Sequence, residues 1–432
     1  MRVLVTGAYG LIGSAVLARL HRDGHELVGT GRKIDTAQRQ FPYARWIAAD
    51  FRDLQSKEAW TTLLTGIDAV VNCAGTFQQS WRDDLAAVHT SAPRALFAAC
   101  QDLGIKRLVQ ISAMGAGEQG ASAFARTKGH ADARLAASAL PWIILRPGVV
   151  LAAGVYGASA MLRGLAGLPW RTPLIAGDRQ VRIVSVGDVA DTVAWALGPG
   201  LSVRGTFELL HPRSYRVADL VSAQRRWLGF AQQPLLELPA IIARAITAGA
   251  DALAYLGWRS PARSTAFAEL AAGMHGDPTS WIAATGIEPK DLDAILNERP
   301  ATLQDRWFSR LYFLKPAAIA CLAAFWIISG VVAVGPGWSG ALALLASAGV
   351  HGTLASLTTV AGAIVDIALG LAVAIRPCAR TALIGMLVVS ALYLLFGTIL
   401  APALWLDPLG RLVKIVPILL LIVFALAVLE ER

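Results

Sequence analysis

The sequence predicts an α/β doubly wound parallel sheet followed by an all-α bundle of four transmembrane helices, and three observations carry that expectation. Over the first 200 residues, short apolar runs alternate with helical stretches, which is the pattern of successive βαβ units. Charge is unevenly spread: the 432-residue chain has 39 Lys/Arg and 30 Asp/Glu, yet residues 311–432 hold only ten of them. Charged residues make up 16% of the whole, where about a quarter is usual in soluble domains. Beyond residue 315 come apolar segments, most of them near the length of about 20 residues that a membrane crossing needs. This excludes a disordered chain, a disulfide scaffold and a single soluble domain. The expected division is 1–210, the doubly wound α/β domain; 211–310, a helical, substrate or membrane-proximal region; and 311–432, a transmembrane domain.

Taken in order, Val3–Val5 is the first expected strand and meets Gly7 at once. Helix is expected over Leu11–Arg22, strand over His25–Gly29, and strands again at Ala69–Asn72, Arg107–Ser112 and Trp142–Arg146. Helices are expected between them at Pro93–Leu103 and Thr127–Ser138, and later at Val217–Leu228 and Leu238–Leu256. The last of these is apolar and Ala-rich; packing on the soluble domain and lying on the membrane surface are equally open. In the final third, spans are expected at Pro316–Val334, Thr353–Ile375, Thr381–Leu400 and Leu412–Leu429, with Ala341–Val350 interfacial or re-entrant. Arg306, Arg310, Lys315, Arg376 and Arg380 then fall on the cytosolic side, as the positive-inside rule asks, whereas Arg411 and Lys414 do not.

The strongest local signal is the turn Gly7-Ala8-Tyr9-Gly10-Leu11-Ile12-Gly13 between the first strand and the first helix. A turn this tight needs residues without a Cβ, and a phosphate would meet the free N–H groups of the helix start. At the second strand end stands Gly31-Arg32-Lys33 rather than an acidic residue, which suits the 2′-phosphate of NADP, with NAD as the alternative. Asp50 and Phe51 end the third strand, where the carboxylate can accept from an adenine amino group. Cys73-Ala74-Gly75 ends the fourth, where backbone would run past the cofactor.

The net charge of +9 comes without a run of basic residues, so nucleic acid is not expected as a partner. Anionic lipid and an anionic cofactor account for it better. The four cysteines have neither CxxC nor metal-ligand spacing, so no metal is expected. The start Met1-Arg2-Val3-Leu4-Val5-Thr6 lacks a secretory h-region, and a cytosolic soluble part beside a cytoplasmic (inner) membrane is the expectation.

At these positions the chain resembles the short-chain dehydrogenase/reductase superfamily, in its extended or atypical branch, an NAD(P)-binding Rossmann fold. TGAYGLIG is similar to its glycine loop, AADFRD to its adenine motif and NCAG to its NNAG-type motif. LVQISAMGA is similar to its catalytic-serine strand, LRPGVV to the strand and turn that carries Pro147, and VSVGDVADTV to a later helix start. The likeness covers about residues 1–210. It implies Ser112 as the residue that orients a substrate carbonyl and Lys128 as the lysine that touches the nicotinamide ribose. The tyrosine four residues before that lysine, the family's general acid/base, is Phe124 here, and phenylalanine has no proton to give.

Three readings follow. Another group supplies the proton, either Tyr156 or water held by Ser112 and Lys128. Or the cofactor is bound without turnover, in a structural or redox-sensing role within a membrane protein complex, as in the nucleotide-binding accessory subunit of respiratory complex I. Or Phe124 is packing in a domain that has lost its site. Residues 311–432 resemble the DoxX-like four-helix membrane family in RWFSRLYFLKP, IVDIALGLAVAIRPCAR and LWLDPLGRLVKIVPILLLI. Together the two resemblances imply a membrane-anchored reductase whose substrate is a small apolar molecule or quinone, in contact with membrane lipid. Asp366, near the middle of the second span, would need a partner, and Lys414 is the expected one. His351, alone at its position, is expected to be structural.

Overall fold

The computed structural model describes residues 1–79, 84–201, 203–273 and 275–429. Seven parallel strands form the central sheet. β1 (Arg2–Thr6), β2 (Glu26–Gly31), β3 (Arg45–Ala48) and β4 (Ala69–Asn72) alternate with α1 (Leu11–Arg22), α2 (Asp35–Gln40) and α3 (Lys57–Leu64). Then come α4 (Ala92–Asp102), β5 (Arg107–Ile111), α5 (Ala123–Ala136), β6 (Trp142–Pro147), β7 (Val149–Leu151) and α6 (Ala158–Ala166). They are followed by β8 (Thr172–Leu174), β9 (Gln180–Val181), β10 (Ile183–Ser185), α7 (Val186–Ala196) and β11 (Gly205–Leu209). The sheet order is β11-β6-β5-β4-β1-β2-β3. The chain reverses its direction of travel across the sheet between β1 and β4, the place where doubly wound folds open a crevice for ligands.

Two-residue periodicity places the core. Val3 and Val5 of β1 face one cluster with Val16, Leu17, Val109 and Val193, whereas Leu4 faces another with Trp60, Leu96 and Leu108. Helix α1 buries Gly13, Val16, Leu17 and Leu20 at helical spacing and carries Arg19, His21 and Arg22 in its last turn, where cations suit the dipole. Arg19 pairs with Asp191 of α7 at 2.7 Å. Helix α5 begins four residues before the sequence reading placed it, because the Ser122 side chain caps it by accepting from the Ala125 N–H at 3.1 Å.

Next come β12 (Tyr215–Arg216), α8 (Val217–Trp227), β13 (Leu235–Glu237), α9 (Ala240–Tyr255), α10 (Ser264–Ala272), α11 (Thr279–Thr285) and α12 (Leu292–Asn297). The chain divides into one compact unit of Met1–Ala252 and Ser260–Ser309, and a second of Leu253–Arg259 and Arg310–Arg432. Most of residues 211–310 lies in the first unit. Trp281, fully buried, donates its indole N–H to Thr192 of α7 at 2.9 Å.

The second unit is helical: most of α13 (Leu303–Val334), then α14 (Trp338–Ser347), α15 (Gly352–Ala374), α16 (Ala379–Leu400) and α17 (Ile415–Ala427). Among the described residues, α13, α15 and α16 are long and apolar enough to cross a membrane. The expected fourth span is shorter than the reading: α17 has 13 residues, which cover about 20 Å against a hydrocarbon core of about 30 Å. Turn structure through Gly410, with φ of +63°, occupies the residues before it. Leu322, Trp326, Leu383, Met386 and Ile422 form the unit's core, and large apolar side chains such as Ile364, Ile399 and Leu420 stay exposed. Gly370 lets α15 approach the α13 backbone, since a Cβ there would stand 2.9 Å from Ile327 N.

Candidate functional site

The ends of β1, β2 and β4 meet at the crevice. Gly7 takes a left-handed φ of +59°, and a Cβ on it would stand 2.9 Å from Cys73 O and Ala74 N. At Gly13 a Cβ would reach 2.3 Å from Gly7 O, so both glycines are required by space. Ala8 N–H donates to Thr30 O at 3.1 Å and Gly10 N–H to Gly7 O at 3.0 Å, which fixes the turn. Tyr9 lays its ring over Gly31, where a Cβ would stand 2.1 Å from its Cε1. Leu11 and Ile12 open α1, whose first turn has no acidic residue. A cradle that any Cβ would fill, facing the positive end of a helix, fits a dinucleotide pyrophosphate.

Beyond Gly31, Arg32 and Lys33 are exposed, as a site for an additional phosphate requires. Asp50 accepts from the Arg52 side chain at 2.7 and 3.1 Å, and this guanidinium holds its carboxyl below the ordinary range. Phe51 turns its side chain inward against Trp60, so only its backbone faces the crevice.

A buried polar ladder joins the three central strand ends. Thr6 Oγ1 donates to Asn72 Oδ1 at 2.5 Å, and Asn72 Nδ2 donates to Gln110 Oε1 at 2.8 Å. The Asn72 oxygen also receives the Ala74 N–H at 3.3 Å, which orients the Cys73-Ala74-Gly75 strand end. Burial pushes the Cys73 thiol up to about 12, so it stays neutral.

Lys128, 5% exposed, reaches across from α5. Its Nζ donates to Ile111 O at 2.9 Å and lies 3.4 Å from where a Cβ on Gly75 would be. Burial lowers the ammonium to about 8, against the pull of Asp132, which raises it. Ser112 is held elsewhere: its Oγ donates to Asp132 Oδ2 at 2.8 Å, and the same oxygen takes Arg146 Nε at 3.0 Å and Nη2 at 2.9 Å. In this arrangement the Ser112 hydroxyl is donated to a carboxylate that Arg146 also holds. Burial raises the Asp132 carboxyl, while Ser112 and Arg146 oppose that shift.

Phe124 stands one helical turn before Lys128. Its ring centroid is 4.8 Å from Phe77 and 5.5 Å from His89. His89 Nε2 accepts the Thr76 N–H at 3.1 Å, so its Nδ1 carries the proton and donates to Thr127 Oγ1 at 3.0 Å. Tyr156 is 45% exposed in the loop before α6, where its backbone N–H donates to Ser159. Among the described residues, the side-chain hydrogen bonds of Ser112 and Lys128 go to Asp132 and Ile111, and Tyr156 does not join them. Pro147 is buried at the end of β6, and its carbonyl accepts from Met114 N–H at 3.4 Å.

Thus the glycine turn, Cys73-Ala74-Gly75 and Lys128 come together, and Ser112 sits beside them on Asp132. Three participants escaped the sequence reading. Asp132 had a signal, since it lies four residues after Lys128 on one helix face. Arg146 was visible only as part of a turn motif, and His89 had no local pattern at all.

Residues 7–166 match the family model described as NAD(P)H-binding, and residues 323–423 match that of the DoxX-like family. The chain carries an NAD(P)H-binding domain and a DoxX-like domain. Solved structures of similar fold are also found. UDP-glucuronic acid 4-epimerase from Bacillus cereus, solved with UDP-glucuronic acid and NAD, aligns with a TM-score of 0.53 and 16% identity. That alignment covers 73% of this chain and 100% of that one. UDP-glucose 4-epimerase from Thermotoga maritima aligns at 0.52 and 19% identity over 69% and 98%. Identities this low show the fold alone.

Among curated proteins, 74 residues are 42% identical to an uncharacterised protein of Mycobacterium tuberculosis, covering 17% of this chain and 8% of that one. A stretch of 70 residues is 39% identical to an uncharacterised protein of Saccharomyces cerevisiae, covering 16% and 24%. In the DoxX-like domain, Asp366 accepts from Ser329 and Tyr393 rather than pairing with Lys414, which precedes α17.

Proposed function

We propose that the protein is a membrane-anchored NAD(P)(H)-dependent oxidoreductase acting on an apolar, membrane-dissolved substrate of quinone or lipid type. The observation that carries this is Lys128: a buried ammonium, lowered to about 8, beside Gly75 and one turn from an apolar pair of rings, Phe77 and Phe124. The Gly7–Gly13 turn would hold the pyrophosphate, and Arg32 and Lys33 favour NADP over NAD. Bound there, the nicotinamide would give or take a hydride. Lys128 is the group placed to hold the accompanying proton, because an amine near 8 is protonated at neutral pH yet releases its proton readily. Phe124 and Phe77 favour a substrate with an apolar body over a sugar nucleotide. Three helices of spanning length support a site at a membrane; in this reading it is the cytoplasmic membrane, with the NAD(P)H-binding domain in the cytosol.

The test uses full-length protein in lipid nanodiscs with short-chain quinones and lipid aldehydes, following NADPH oxidation. Lys128→Met is expected to reduce turnover by about 10²-fold or more, in the range of general acid catalysis. Turnover equal in wild type and variant would refute the assignment. A second reading, nucleotide binding without turnover in a membrane protein complex, draws support from the Ser112 proton being committed to Asp132. It expects NADPH to remain bound through gel filtration with every substrate left unreduced. An absence of NADPH binding by calorimetry would exclude both.

A further inference from the structure

Three apolar helices each send one polar side chain to a single point in the second unit. Asp366 of α15 is 7% exposed. Its Oδ1 accepts from the Tyr393 hydroxyl of α16 at 3.2 Å, and its Oδ2 accepts from Ser329 Oγ of α13 at 3.4 Å. Among the described residues these two hydroxyls are its side-chain partners, and no Lys, Arg or His is with them.

A carboxyl group among apolar helices is retained where it has a task, because its desolvation is costly. Here its needs are incompletely met. A carboxylate offers about four acceptor positions, and hydroxyl donors commonly sit about 2.7 Å away. Two donors beyond 3 Å leave Asp366 able to accept more.

Tyr393 shows what kind of donor this carboxyl takes, and also how one could arrive. Its hydroxyl reaches the buried carboxyl, yet the residue is 45% exposed, on the outer surface of an apolar helix. The ring therefore lies between Asp366 and the surroundings of the helix. Gly362 keeps space beside the hydroxyl, since a Cβ there would stand 3.4 Å from it. Phe396, three residues after Tyr393 and so on the same face of α16, is exposed and apolar.

We infer that Asp366, with Tyr393 and Ser329, is a lateral docking site for a membrane-dissolved molecule whose polar end is a phenolic hydroxyl, a phenol or hydroquinone in class. The guest hydroxyl takes the place of Tyr393 on the carboxyl, and its apolar body lies along the helix surface. The site stands on the helical unit alone and does not rest on the reduction proposed for the NAD(P)H-binding domain.

The probes are an alkylphenol carrying a diazirine on its chain and its methyl ether, which has nearly the same shape but no donor. Full-length protein in lipid nanodiscs is photolabelled with each, and adducts on α15 and α16 are quantified by peptide mass spectrometry. Wild type is expected to prefer phenol over ether by about tenfold, the effect of one buried hydrogen bond. Asp366→Ala is expected to bring that ratio to about one. Tyr393→Phe removes the competing internal donor and is expected to raise phenol labelling about twofold or more. A structural clasp gives the opposite sign, with Tyr393→Phe losing labelling as Asp366→Ala does, and that result overturns the inference. Equal labelling of wild type by phenol and ether overturns it as well.

Discussion

His89 shows how a single side chain can tie the nucleotide site to pH. It is 1% exposed, accepts a backbone N–H through Nε2 and touches the Phe124 ring. Burial, aided by the nearby Lys128 charge, lowers its imidazole from an ordinary 6.5 to about 2. Between those values the unfolded chain binds a proton that the folded protein refuses. The His89 contribution to stability is therefore full above pH 6.5 and falls toward acid, with a limiting slope of about 1.4 kcal/mol per pH unit. His89→Gln keeps an acceptor for Thr76 but cannot titrate. On lowering the pH from 7 to 5, its denaturation midpoint should fall less than that of wild type, by a difference equivalent to about 1–2 kcal/mol. Parallel curves for the two proteins would remove His89 as the titrating group.

At the scale of elements, the site depends on how closely α1 closes onto the turn before it. Gly13 is the contact: a Cβ on it would meet the carbonyl of Gly7 at 2.3 Å, and that carbonyl also accepts the Gly10 N–H. Backbone cannot swing aside as a flexible side chain does, so Gly13→Ala should displace α1 from the turn at a cost of about 1–3 kcal/mol. NADPH affinity, measured by calorimetry, should drop by about tenfold or more, since the helix start would no longer face the phosphates. Unchanged affinity would mean the pyrophosphate binds elsewhere. This element was legible in the sequence because glycine spacing, strand and helix all lie within 22 residues, and α1 falls where periodicity placed it. The α5 start was missed because a Ser N-cap five residues upstream of the expected start extends the helix. The Ser112–Asp132–Arg146 link joins a strand end, a helix and a later strand, and no local pattern encodes such a contact. Asp366 was legible as a buried acid, but its partners come from two helices 37 and 27 residues away, so the sequence pointed to the wrong one.

For the whole molecule, the uneven charge now has a structural counterpart. The first unit, built on a doubly wound sheet, carries 57 of the 69 charged residues, whereas the second exposes Leu357, Ile364, Ile399 and Leu420 along apolar helices. A net charge of +9 could also hold a protein on anionic lipid, so two modes of attachment must be separated. Electrostatic attachment decays over a Debye length, about 10 Å at 0.1 M salt and about 3 Å at 1 M, and is released by concentrated salt. Helices α13, α15 and α16 each have more than the about 20 residues a crossing needs, and insertion of that kind is insensitive to salt. Membranes from cells expressing the full chain should therefore retain it through 1 M salt and through alkaline carbonate, releasing it only to detergent. Release by salt alone would assign attachment to the basic surface and leave the apolar faces of these helices to cover one another, which their exposure argues against.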